Sequence, residues 1–111
     1  MIEQEQFAQR IRQAGSAVQE AEKKACEMEA QEKQMFATLQ VKALGEGCKT
    51  VASQTTYADA SDEMYAARVN RGVAKAAIAA AKANLLAAEV EFKIWQTQMA
   101  TIRQEKRVYG A

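Results

Sequence analysis

The chain has 111 residues, a formal net charge of +1, and neither proline nor histidine. That length suits one domain, the balanced charge gives no global field for nucleic acid, and the missing histidine removes the usual general base and metal ligand. Cys26 and Cys48 are too few for a disulfide scaffold, and the longest apolar run, Ala76 to Ala81, is too short to span a bilayer.

The opening Met-Ile-Glu-Gln-Glu-Gln is not the start of a signal peptide, so a reducing cytoplasm is the expected setting. Alanine, glutamine, glutamate and lysine dominate, all strong helix formers. The predicted fold class is all-α.

Helix 1 is expected from about residue 3 to about 44. Glu3 and Glu5 suit the positive end of its dipole and Lys42 the negative end. Its seven-residue apolar seam is Phe7, Ile11, Ala14, Val18, Ala21, Ala25, Met28, Glu32, Met35 and Leu39. Gly15 is read as an interior blemish on the outer surface. Gly45 and Gly47 end the helix.

The connection, 45–58, is long for a hairpin, and Cys48 to Thr56 has the look of a short helical turn. Asp59 or Ser61 caps helix 2, with Asp62 and Glu63 in its first turn. Helix 2 then runs from about 59 to 109, with Arg103, Lys106 and Arg107 near its end and Gly110 as a stop. Tyr57 and Tyr65, near the hairpin tip, are read as pinning the loop.

The second seam is Met64, Ala67, Arg71, Ala74, Ile78, Ala81, Leu85, Ala88, Phe92 and Trp95. It matches the first when one of the two is reversed. Phe7 then meets Trp95, Ile11 meets Phe92, Val18 meets Leu85 and Leu39 meets Met64. The only acid of the first seam, Glu32, falls opposite the only base of the second, Arg71. A one-heptad slide would leave Glu32 against apolar side chains, and an unpaired buried charge costs several kcal/mol. A single polar contact of this kind fixes register in coiled coils. The expectation is a long antiparallel helical hairpin, coiled-coil-like, in one domain.

Helix 2 carries a further apolar face: Val69, Val73, Ala76, Ala80, Ala83, Ala87, Val90 and Ile94. A helix apolar on two sides is packed on two sides, and helix 1 has no matching stripe. An alanine-rich seam also leaves a two-helix core thin. Both arguments point to a homodimer, a four-helix assembly with the two copies of helix 2 antiparallel at its centre.

Candidate chemistry is sparse. No catalytic, metal or cofactor-binding residue is proposed, and no small-molecule substrate. Glu32 reads as a structural acid paired with Arg71, and two cysteines without histidine make no zinc site. Gly45-Glu46-Gly47-Cys48-Lys49-Thr50 echoes a phosphate-binding loop, but Cys48 replaces the glycine required before Lys-Thr, and a helix precedes it instead of a strand.

Two basic features could touch nucleic acid or a partner. One is the row Arg68, Arg71, Lys75 and Lys82, whose alternative reading is a solvated face with Arg71 already used in the seam. The other is the segment past Met99. Met99 faces Gln4, so Arg103 to Ala111 overhang the start of helix 1 and present Ile102, Arg103, Lys106, Arg107 and Tyr109. A dimer contact or a frayed tail is the competing reading of that overhang. Trp95 with Phe7 reads as core.

Lys49-Thr50-Val51-Ala52-Ser53-Gln54, the turn through Tyr57 and Tyr65, and Ile94-Trp95-Gln96-Thr97-Gln98 before a basic tail resemble a group of small phage and prophage helical proteins. These are encoded beside recombination and single-strand-annealing genes. The likeness covers residues 40 to 111 and departs at Cys48 and at Lys106-Arg107-Val108-Tyr109. It implies phage DNA metabolism in a bacterial cytoplasm and supplies no site residues. The expected role is a non-enzymatic adaptor that binds a protein, with nucleic acid bound weakly. The alternatives are an inhibitor of a host nuclease or defence complex, for which the acidic cluster Glu20 to Glu32 on helix 1 speaks, and a structural virion or scaffold component.

Overall fold

The computed structural model describes residues 2–109 and contains three helices: α1 (Ile2–Gly45), α2 (Val51–Asp59) and α3 (Asp62–Val108). No strand occurs among the described residues. Gly110, the expected stop, and Ala111 lie outside them. The protein is an all-α helical hairpin. Its contacts divide into two compact units, Met1–Val18 with Ala80–Ala111 and Gln19–Ala79. They are called here the terminal unit and the central unit.

In the central unit the later part of α1 runs antiparallel to the early part of α3. Leu39 meets Met64 as the reversed seams require, and both are almost wholly buried, at 2% and 1% exposure. Ala25 and Ala74 are buried seam alanines. In the terminal unit the same antiparallel arrangement joins Phe7 to Trp95, with ring centroids 5.6 Å apart. Along α3 every residue from Met64 to Trp95 that is not exposed falls on the predicted seam, and half-buried Met99 continues it by one position. On α1, Gly15 is half-buried next to the seam, and a Cβ there would meet nothing within 4 Å, in keeping with its expected place on the outer surface.

The end of α1 is a backbone device. Cys48 N–H donates to the Ala43 carbonyl (3.0 Å) and Gly47 N–H to that of Leu44 (3.3 Å). These are the two closing bonds of a Schellman turn, whose C′ residue takes a left-handed conformation. Gly47 is that residue, at φ +97°, whereas Gly45 is still helical. The two glycines therefore respond oppositely to substitution. Gly47→Ala is expected to cost about 1–2 kcal/mol, the penalty of a Cβ in left-handed backbone. Gly45→Ala is expected to add up to about 1 kcal/mol, because alanine is the better helix former. Urea midpoints of the two variants check this sign difference.

The connection read as 45–58 is mostly helix. Thr50 is the N-cap of α2: its Oγ1 accepts from Ser53 N–H (3.1 Å), and Ser53 Oγ accepts from Thr50 N–H (3.2 Å). This reciprocal capping box satisfies two otherwise orphaned donors. Gln54 Nε2 donates to the Cys48 carbonyl (3.1 Å) and ties the turn to the helix. The underside of α2 presents Ala58, fully buried in a cluster with Leu39 and Met64, against which Met35 and Phe36 pack. Nine residues are too few to hold a helix in isolation; burial of Ala58 supplies what propensity cannot.

Only Ala60 and Ser61 separate α2 from α3. Of the two candidate caps for the last helix, Ser61 serves: its Oγ accepts from Glu63 N–H (3.2 Å). Asp59 ends α2 instead, so the last helix starts at Asp62 and not at 59.

Candidate interaction surfaces

The central unit holds a four-membered charge network. Arg71 Nη1 lies 2.8 Å from Glu32 Oε2. Arg68 sits one turn earlier on α3 and reaches both Asp59 at the end of α2 (2.5 Å) and Glu32 (3.9 Å). Glu32 is the most shielded member, its side chain 14% exposed against 38% for Arg71 and 42% for Arg68. Its seam position sinks it between the helices while the longer arginines reach in from the edge. The alignment with Arg71 is imperfect, since neither Glu32 Oε2 nor Arg71 Nε makes a hydrogen bond of good geometry.

This network changes the basic row. Arg68 was a candidate nucleic-acid contact, yet it fastens α2 to α3 and neighbours Glu32. Arg71 is also engaged. Lys75 and Lys82 are exposed on α3. The row is therefore not a line of free cations.

In the terminal unit, Phe7, Phe92 and Trp95 form an aromatic cluster with centroid spacings of 5.6 to 5.9 Å. Trp95 Nε1 donates to Glu3 Oε2 (2.7 Å). Arg10 stands 5.5 Å over the Phe7 ring and pairs with Glu91 at 3.3 Å. All three rings are only half-buried. No described residue of this unit is fully buried; every core residue belongs to the central unit.

The further apolar face of α3 is uncovered. In the central unit Val69 and Val73 are 43% and 65% exposed, and in the terminal unit Val90 and Ile94 are 45% and 53% exposed. The four alanines Ala76, Ala80, Ala83 and Ala87 are exposed as well. Leu86, 61% exposed, flanks the face and was not singled out from the sequence.

Beyond Met99, α3 outruns the start of α1, and every residue from Ala100 to Tyr109 is exposed. Ile102, Val108 and Tyr109 are apolar or aromatic among Arg103, Lys106 and Arg107. None of these three cations has an acidic partner within ion-pair distance among the described residues.

The tyrosines separate. Tyr57 is half-buried, and partial desolvation together with its hydrogen bond to the Glu46 carboxylate raises its hydroxyl above the ordinary tyrosine range. Tyr65 is 70% exposed and pins nothing. Val41, Leu44 and Val51 form further exposed apolar surface in this unit. The first two lie off the seam in a helical stretch, a signal legible in the sequence.

The glycine-rich segment does not cradle an anion. Gly47 and Cys48 spend their N–H groups on closing α1, and Thr50 spends its hydroxyl on α2. Cys26 and Cys48 are free thiols. Among the described residues no group of acids, cysteines or histidines is placed to hold a metal ion, and no helix is long and apolar enough to cross a membrane.

In comparisons with known proteins, no family model matches the chain, and neither a curated protein nor a solved structure matches it.

Proposed function

We propose that the chain is a non-enzymatic helical adaptor of phage DNA recombination or replication. It works as a homodimer in the bacterial cytoplasm. It binds a protein partner, and nucleic acid weakly, through the projecting end of α3. The observation that carries this reading is the overhang. A helix that continues two turns past its packing partner, exposing Ile102 and Tyr109 beside Arg103, Lys106 and Arg107, has the mixture of apolar anchors and arginine that partner surfaces use. The likeness to small phage helical proteins supplies the DNA-metabolism context.

The competing reading as an inhibitor of a host nuclease draws on Glu20, Glu22, Glu27 and Glu29. Lys23 and Lys24 stand among these acids, so the cluster imitates a phosphate row poorly, and the adaptor reading is preferred.

The test is the triple variant R103E/K106E/R107E. The wild-type chain should retard a labelled single-stranded oligonucleotide at low salt. Three phosphate contacts to a single strand give a salt slope of about −2 in log–log form. The variant should lose that binding, and with it the capture of a DNA-processing protein from lysate, at unchanged helicity. Wild-type behaviour in the variant would remove the overhang from the function.

A further inference from the structure

We infer that the exposed face of α3 is the self-pairing surface of the dimer, and that it fixes one antiparallel register centred between Ala81 and Lys82. This rests on the homodimer included in the proposed function and specifies its geometry.

The face is palindromic. With two copies of α3 antiparallel about that midpoint, Val69 falls opposite Ile94 and Val73 opposite Val90. The two inner layers are alanine throughout, Ala76 with Ala87 and Ala80 with Ala83. A two-fold interface must be complementary to itself, residue i meeting j while j meets i, and this stripe satisfies that at all four layers. Large residues meet large ones at the ends, and small ones meet at the centre, where the backbones can approach to the low end of the 8–10 Å range. Leu86, 61% exposed in the single chain, gains Ala79 of the second copy beneath it. A one-heptad slide would set Val69 and Val73 against Thr101 and Thr97 and break every valine layer.

Charge chooses the same direction. The first turn of α3 is acidic, Asp62 and Glu63, and its last turn is basic, Lys106 and Arg107. Antiparallel pairing in this register sets Asp62 and Glu63 opposite Thr101 and Ala100 of the second copy, within a turn of Arg103, while Lys106 and Arg107 extend past the start of the second α3 and away from their own copies. Parallel pairing would set acid beside acid and base beside base.

The exposed area is large enough to need covering. The chain exposes 8293 Å², whereas a folded monomer of this mass is expected to expose about 6,100 Å². The surplus, about 2,200 Å², exceeds the roughly 800 Å² that each partner buries in a standard interface. The terminal unit, with no fully buried residue of its own, gains most from such cover.

The test uses a C26S/C48S background, which removes both native thiols. V73C and V90C chains are refolded together, oxidised mildly and analysed without reductant, while the mass of the wild-type chain is measured by light scattering at tens of micromolar. The expected result is a wild-type dimer and a disulfide dimer that forms only when both variants are present. Alone, V73C should not cross-link, because the two copies of position 73 are separated by about 25 Å along the axis at 1.5 Å per residue. V69C with I94C should repeat the pattern. Self-cross-linking of V73C overturns the antiparallel direction, and a dimer in which neither pair cross-links overturns the register alone. A monomeric wild-type chain overturns the homodimer itself.

Discussion

Met64→Ala is expected to destabilise the protein by about 3 kcal/mol, within the 2–5 kcal/mol range for truncating a buried methionine. At about 4 °C per kcal/mol for a chain of this size, the melting temperature should fall by about 12 °C. Met64 is the largest fully buried side chain, 1% exposed, and it packs with Leu39 and Ala58. Three helices converge there, so the cavity cannot close by moving one of them. Leu39→Ala should cost a similar amount. The double variant should cost less than the sum, because both side chains line one space. Ile102→Ala, on the exposed overhang, should move the melt by less than about 0.5 kcal/mol equivalent. Melts must be compared at one protein concentration, since the proposed self-association would make the midpoint concentration-dependent. A Met64→Ala melt within a degree or two of wild type would mean that the α2 cluster is not the core.

Reversal of the seam acid is the second large effect. Breaking a buried ion pair costs 3–5 kcal/mol. Here the side chains of Arg71 and Arg68 are 38% and 42% exposed, so water screens the contact, and about 2–3 kcal/mol is expected for Glu32→Lys. The new cation would face Arg71 and Arg68 together. From the sequence alone the exchange E32R/R71E ought to be neutral. The structure alters that expectation: Arg68, 3.9 Å from Glu32, would then confront the transplanted arginine. The exchange should recover about half of the loss, and adding R68A should recover more. Chemical denaturation of these three variants checks the order of the losses, and an E32K midpoint equal to wild type would show that the pair does not hold the register.

The hairpin was legible because its signal is long and redundant. Each helix repeats its apolar positions over many turns, and reversing one seam against the other brings Phe7 to Trp95 and Leu39 to Met64 in a single alignment. Helix α2 was legible only in outline. Its N-cap, Thr50, is local and readable, but a nine-residue helix has too few turns to show a period. Arg68 was misjudged for a related reason. Its helical spacing with Arg71 and Lys75 suggested one basic stripe, while its acidic partner, Asp59, is brought near only by the fold of α2 back onto the hairpin.

The aromatic cluster stands between these cases. The pairing of Phe7 with Trp95 follows from register, but the bond from Trp95 to Glu3 and the stacking of Arg10 on Phe7 depend on side-chain reach at the edge of the seam. They also show how the terminal unit differs from the central one. Its rings are shielded by charged side chains that remain in water, whereas the central unit has a third helix to close its core.

Sequence by itself determined the all-α class, the antiparallel direction and the pairing register of α1 with α3. Those properties are written in a period that any chain of this pattern must bury along one stripe. Tertiary structure decided where α2 lies and which acid captures Arg68. Each of these turns on residues distant in sequence meeting across a folded surface, a competition that no local spacing encodes.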